Sequence, residues 1–370
     1  MRTARAAAVA VAVVAVAVGA AQRIHAVDEL PPDFDELVYL PIAYEYARLL
    51  PEHADAIPGF DENREHPPMV KLAFGAAVDV VEPPEPKWDE LKVGKPLPAS
   101  AKGAFGCGRW PNMIAGTAQL ALVSIASPLA ALLLAVEPYH AKYTSQAMLE
   151  AIPGVFALLA VLLVERALRS AGRRRVVLIL LAAVALGASA AGKYPYGIVL
   201  GLTLLPFVIG GFPRRPLVWA GFVALSLLAL IAFDPTFWTG PVARAEEAIA
   251  YHWAYSHGEH VTETGLPWYA QVEWLFKAAP LDWHRGVFLT GLVTQALLPL
   301  AAVGFPLAWR ARRIWAVWAL VGMAFLLVWP TKWPQYLLMV LPALAVCAAY
   351  APLAVAAVAR RLLPREKPLL

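Results

Sequence analysis

Charge is what this sequence has least of. Only 16% of its 370 residues are Asp, Glu, Lys or Arg, where a soluble domain carries about a quarter. There are two cysteines. Cys107 lies in a polar stretch and Cys347 in an apolar run, which excludes a disulfide framework and a cysteine zinc site. The excess of base over acid is small, a formal +4. The basic residues come in short clusters between apolar runs, an orientation signal and not a nucleic-acid footprint.

What the chain has instead is apolar length. Hydrophobic residues make up 60% of it, and they fall in uninterrupted runs long enough to cross a bilayer. Ala6–Ala21 is read as an uncleaved first span, although Val18-Gly19-Ala20 offers a small-residue cleavage site. An apolar region at 110–137 is broken by Ser127-Pro128. Further spans are expected at 147–168, 176–191, 195–212, 216–233, 286–308, 314–330 and 335–357. The organisation is therefore 1–21, first span; 22–109, acid-rich loop; 110–233, spans; 234–285, a second polar loop; and 286–370, the last spans with a basic tail. The fold class is an all-α polytopic membrane protein with about nine or ten transmembrane helices and two large outer loops bearing short surface helices.

Five basic clusters fix the orientation: Arg2/Arg5, Arg169 with Arg173–Arg175, Arg214-Arg215, Arg310 with Arg312-Arg313, and Arg360-Arg361. All fall on one side if the spans alternate, and by the positive-inside rule that side is cytoplasmic. Both polar loops, with the short turns at 192–194 and 331–333, then face outward. The stretch 110–137 must go in and return, and it is too short for two full spans at about 1.5 Å per residue. It is either a short hairpin broken at Pro128 or one span.

Candidate chemistry sits in the outer segments. Leu37, Leu40, Tyr44 and Ala47 recur at helical spacing, which predicts a surface helix over 36–50 with Asp35 capping its start. Glu65-His66-Pro67-Pro68 precedes an apolar run, and the proline pair suits a helix start. Arg109, Lys193 and Lys332 stand at the outer ends of spans, where a basic side chain reaches a lipid phosphate or snorkels. Tyr194 and Tyr336 stand beside two of them, in positions also suited to interfacial aromatics. His252, His257 and His260 cluster in the second loop at a spacing that matches no standard zinc motif.

Taken in order, Asp35-Glu36-x-x-Tyr39, Glu65-His66-Pro67-Pro68, Arg109-Trp110-Pro111, Glu137-Pro138-Tyr139, Glu150-Ala151-Ile152-Pro153, Gly187–Tyr194 and Lys332–Pro342 resemble the GT-C glycosyltransferases. The resemblance is to the protein O-mannosyltransferase and aminoarabinose-transferase type. It implies transfer of a sugar from a polyprenyl-phosphate donor to an acceptor hydroxyl of protein, lipid or glycan. It places the enzyme in the plasma (inner) membrane, with the active site on the extracytoplasmic face. It implies Asp35 as general base with Glu36 beside it, and Arg109, Lys193, Tyr194, Lys332 and Tyr336 toward the phosphate. It further implies a divalent metal on Glu65 and a histidine from His252, His257 or His260, with His66, Pro67 and Pro68 as the supporting loop motif. Glu150 stands where the family often has Asp, and the stretch after Arg109 is shorter than the family's. A transporter of lipid-linked sugars and an inactive scaffold are the competing readings. The acids gather in the loops and leave the span centres almost free of charge, which favours surface chemistry over transport.

Overall fold

The computed structural model describes residues 2–59 and 66–362, and all their regular structure is helical. Glu65 lies outside the described residues. So does the side chain of His260.

The long apolar runs form α1 (Arg2–Glu29), α7 (Ala151–Leu168), α8 (Gly172–Gly192), α9 (Tyr194–Gly211), α10 (Pro216–Phe233), α15 (Leu292–Ala311) and the pair α17 (Leu341–Ala348) and α18 (Ala351–Leu362). Between them come α2 (Phe34–Leu49), α3 (Met69–Val81), α4 (Ala99–Ala126), α5 (Pro128–Ala135) and α6 (Pro138–Tyr143). The second polar stretch holds α11 (Pro241–His257), α12 (Glu259–Thr264), α13 (Ala270–Trp274) and α14 (Ala279–Trp283), and α16 (Arg313–Val328) follows α15. A 3-10 turn, Pro334–Met339, leads into α17.

Seven helices among the described residues are long and apolar enough to cross a membrane, fewer than the nine or ten expected. Two segments make the difference. Helix α16 has 16 residues. Helix α4 has 28 but carries buried Arg109, Asn112 and Gln119. The stretch 110–137 is the hairpin alternative: α4 ends at Ala126, Ser127 caps α5, and α5 returns in eight residues.

Small residues let the helices approach closely, the packing that works where lipid supplies no hydrophobic drive. A Cβ at Gly304 would collide with the Cys347 carbonyl, which brings α15 onto α17. At Gly75 it would meet the Tyr46 side chain at 2.9 Å and the Ala43 carbonyl at 3.0 Å, so α3 lies flat on α2.

The two ends of the bundle differ. At the end holding the arginine clusters, Glu165 of α7 receives Arg312 and Arg169, each at 2.7 Å. At the other end lie α2, α6 and α11. There a chain of buried polar groups fixes α6. Arg23 of α1 donates to Thr144 Oγ1 at 2.8 Å and to His140 Nδ1. His140 Nε2 faces Gln119 Oε1 at 3.0 Å, and Gln119 donates to the Ala151 carbonyl at the start of α7.

Candidate active site

The first residues of helix α2 decide the site. Asp33 is the N-cap; its backbone N–H donates to Glu36 Oε2 at 3.1 Å, the back half of a capping box. The cap is thus Asp33 and not the expected Asp35, because the acid three residues later that completes the box is Glu36.

Glu36 is fully buried and faces inward. Arg109 grips it with two hydrogen bonds of 2.7 Å, Nε to Oε1 and Nη2 to Oε2. The Ala147 N–H adds a third at 2.8 Å, and Gln146 a weaker one at 3.3 Å. The remaining N–H groups of Arg109 go to the carbonyls of Val27, Leu30 and Pro31. All five donors of the guanidinium are therefore engaged. The clamp ties together the end of α1, the start of α2, the middle of α4 and the 146–147 loop. This corrects the sequence expectation for both residues. Arg109 has no N–H left for a phosphate, and Glu36 has no lone pair open to a substrate.

Asp35 points the other way. Its carboxylate is half-buried, accepts from Gln335 Nε2 at 3.1 Å, and lines a cavity of about 490 Å³. Lys142 lines the same cavity and pairs with Asp33 at 2.6 Å and Gln146 at 2.8 Å, over the Tyr143 ring at 4.1 Å. His284 completes the polar lining, and burial with the nearby Lys142 charge lowers its pKa to about 4.

Behind Asp35 lies Lys193, which joins α8 to α9. It is buried, paired with Glu150 at the N-cap of α7, and 4.7 Å from the centre of the Tyr336 ring. Burial alone would lower its pKa. The charge of Glu150, helped by Tyr336, the ion-pair hydrogen bond and Asp35, outweighs burial and holds it at about 12. Lys193 is thus a permanent cation at neutral pH.

A second cavity, of about 480 Å³, is almost wholly apolar. Tyr194, Ile198, Leu230, Ile249, Trp253 and Trp329 line it. The Tyr194 hydroxyl is engaged by buried Asp234 at 3.0 Å, so its ring faces this cavity. The two cavities stand on either side of one partition. Helix α11 gives Tyr255 to the polar side and His252 and Trp253 to the apolar side, and the chain at 329–335 likewise lines both.

The other expected residues fall as follows. Lys332 turns back on the last turn of α16 and donates to the carbonyls of Leu326 at 2.7 Å and Leu327 at 3.0 Å. Those contacts complement the negative end of the helix and turn the side chain away from both cavities. Pro67 and Pro68 stand just before α3, with Pro68 its N-cap. His66 is buried edge-on to Tyr39, and its ring centre lies 5.9 Å from that of His252, so the two polar loops meet there. His257 is exposed and bonded within its own helix, to the Trp253 carbonyl at 2.8 Å. Among the described residues no group of three His, Cys, Asp or Glu side chains gathers to hold a metal.

Lys142, Gln335 and Trp283 were not anticipated. One signal was readable for Lys142: it is the one lysine in the segment 138–148, between apolar runs and beside Tyr143. Gln335 and Trp283 carried none, since their partners lie far away in the chain.

No family model matches the chain, and no curated protein matches it by sequence. Solved structures do match in shape, two of them of one protein. ArnT from Cupriavidus metallidurans bound to undecaprenyl phosphate superposes with a TM-score of 0.62, over 92% of this chain and 59% of that protein, at 18% identity. The same protein in the apo state gives 0.63 over 93% of this chain and 60% of that one, at 16% identity. The chain has the ArnT fold. This is the GT-C fold, the one the ordered motifs led to. The chain spans about three-fifths of ArnT's length.

Proposed function

We propose that the protein is a multi-pass membrane glycosyltransferase that moves a sugar from a polyprenyl-phosphate donor to an acceptor hydroxyl. The observation that carries this reading is the pair of cavities on one partition, apolar on one side and holding a carboxylate on the other. An apolar cavity opening beside a helix end suits a polyprenyl chain. That ArnT has been crystallised with undecaprenyl phosphate agrees with this.

In the reaction, the acceptor oxygen forms a bond to the anomeric carbon as the carbon–oxygen bond to the donor phosphate breaks. Asp35 takes the hydroxyl proton, the role of a general base within hydrogen-bond reach. The departing polyprenyl phosphate gains negative charge, and Lys193, held protonated, stabilises it. Tyr336 fixes the ammonium from one side and Glu150 from the other. Tyr194 forms the wall beside the lipid. The reaction takes place at the extracytoplasmic face of the inner membrane, the side opposite the arginine clusters.

A divalent metal would be held by Glu65 with His252, the less exposed of the two described histidines that line the apolar cavity, and would supply further positive charge for the phosphate. His66, which follows Glu65 in the sequence, has its ring centre 5.9 Å from that of His252. His257, exposed and bonded within its helix, is the poorer ligand.

The test is transfer of labelled sugar from a panel of polyprenyl-phosphate donors in proteoliposomes, with and without chelator. Transfer from at least one donor is expected, and loss with chelator would assign the metal. Absence of transfer from every donor, with the donors bound and carried across the bilayer, would replace this reading with transport.

A further inference from the structure

A groove runs between α15 and α18 at the arginine end of the bundle, the end opposite Asp35 and Lys193. We propose that it binds one anionic phospholipid of the leaflet at that end, with the phosphate on Arg310 and an acyl chain between the two helices.

The groove has a volume of about 590 Å³. Val303, Pro306 and Leu307 of α15 form one wall, and Ala354, Val355 and Val358 of α18 form the other. Arg310 is the one charged residue among its described lining residues, and it stands in the last turn of α15. From Val303 to Arg310 the wall rises about 10 Å at 1.5 Å per residue. One leaflet offers about 15 Å of hydrocarbon. An apolar trough of that length, ending in a cation, has the shape of a lipid chain that enters from one leaflet and leaves its phosphate at the arginine.

The charges name the headgroup. Arg313 begins α16 just after α15 ends, its guanidinium 5.3 Å from the centre of the Trp309 ring. Arg360 follows Ala359 of the groove wall. Arg310, Arg313 and Arg360 are all exposed. The described acid at this end is Glu165, and Arg169 and Arg312 already engage it. The mouth of the groove is therefore positive, and no described carboxylate balances it.

Arginine, and not charge alone, marks this end. Lysine and arginine satisfy the positive-inside rule alike. Yet every lysine from Lys71 to Lys332 lies on the other side, in the polar stretches 22–109 and 234–285, at 138–146, or in the turns 192–194 and 331–333. The basic clusters at this end are arginine throughout. One chain thus uses lysine on one side and avoids it on the other, which a compositional bias does not produce. The guanidinium fork matches phosphate geometry where an ammonium is a point charge. Anionic lipids are drawn to such basic ends of spans.

Native mass spectrometry of the full chain in detergent reads the site directly. The probes are phosphatidylglycerol, chain-matched phosphatidylcholine and free glycerol phosphate. One tight phosphatidylglycerol adduct is expected, stronger than either other probe. Arg310→Ala should weaken it about tenfold, the scale of one lost hydrogen bond to a charged group. Ala354→Trp, which fills the groove and leaves every arginine in place, should weaken it comparably, and Val358→Trp serves if that variant does not fold. Arg215→Ala, in the cluster between α9 and α10, should leave binding unchanged. Equal binding of phosphatidylcholine, or binding of free glycerol phosphate as tight as the lipid's, would overturn the site. So would full binding in Arg310→Ala or in the filled groove, or a loss in Arg215→Ala as large as in Arg310→Ala, the mark of a diffuse field.

Discussion

Two adjacent carboxylates define two regions with opposite purposes. Around Glu36, every acceptor and donor is matched inside the protein, and the group meets no solvent. Around Asp35, one residue earlier, Gln335 donates to a half-buried carboxylate that lines a cavity. The first region is a clamp and the second a mouth. Successive positions on a helix differ by about 100°, so Asp35 leaves the face on which Glu36 is anchored and reaches the cavity instead. The difference shows how a charged motif in a low-charge protein divides between holding the fold and leaving one group exposed for chemistry.

The comparison breaks most visibly at Arg109. Arg109→Ala leaves Glu36 buried without its partner, which costs about 3–5 kcal/mol, so thermal melts in nanodiscs should show large destabilisation or no folded protein. Arg109→Lys should fare little better, because a single ammonium cannot make the paired contacts. Next comes the mouth: Asp35→Asn should melt like wild type while transfer falls by about 100-fold or more, the scale of a lost general base. Gln335→Ala sharpens the same side. It removes one hydrogen bond worth about 1 kcal/mol, so transfer should drop about fivefold with the melting temperature nearly unchanged.

The smallest effect concerns pH. His284 stays neutral in the folded cavity down to about pH 4, whereas the unfolded chain protonates it near 6.5. The unfolded state therefore binds more protons between these values. Stability is full above pH 6.5 and declines as pH falls toward 4. Melts across that range should show a shallow decline that His284→Gln flattens.

Much of the frame was legible because it rests on local signals. Long apolar runs gave α9 and α10 within a residue and α7 and α8 with their starts four residues off, and the proline pair marked the start of α3. The surface helix α2 followed from Leu37, Leu40 and Tyr44, and only its cap was misplaced, by two residues. The hairpin at Pro128 was one of two readings, since length alone left both open. Partners distant in sequence were not legible. The outer position of Arg109 suggested a phosphate ligand, but its partner Glu36 stands 73 positions away, and nothing in the pattern announces a buried clamp. Lys332 misled for a related reason: a lysine after a span end reaches headgroups or folds back on the helix carbonyls with the same sequence signature. Glu150 was noted for replacing Asp, and its role in holding Lys193 emerged only when α7 and α8 were brought side by side.

The most direct test of the division between clamp and mouth is a paired measurement on Asp35→Asn and Glu36→Gln in the same proteoliposomes, reading melting temperature and sugar transfer together. The account predicts that Asp35→Asn keeps the wild-type melt and loses transfer, while Glu36→Gln melts many degrees lower and loses transfer only in proportion to the protein left folded. A stable Glu36→Gln without transfer, or an Asp35→Asn that transfers at the wild-type rate, would contradict it.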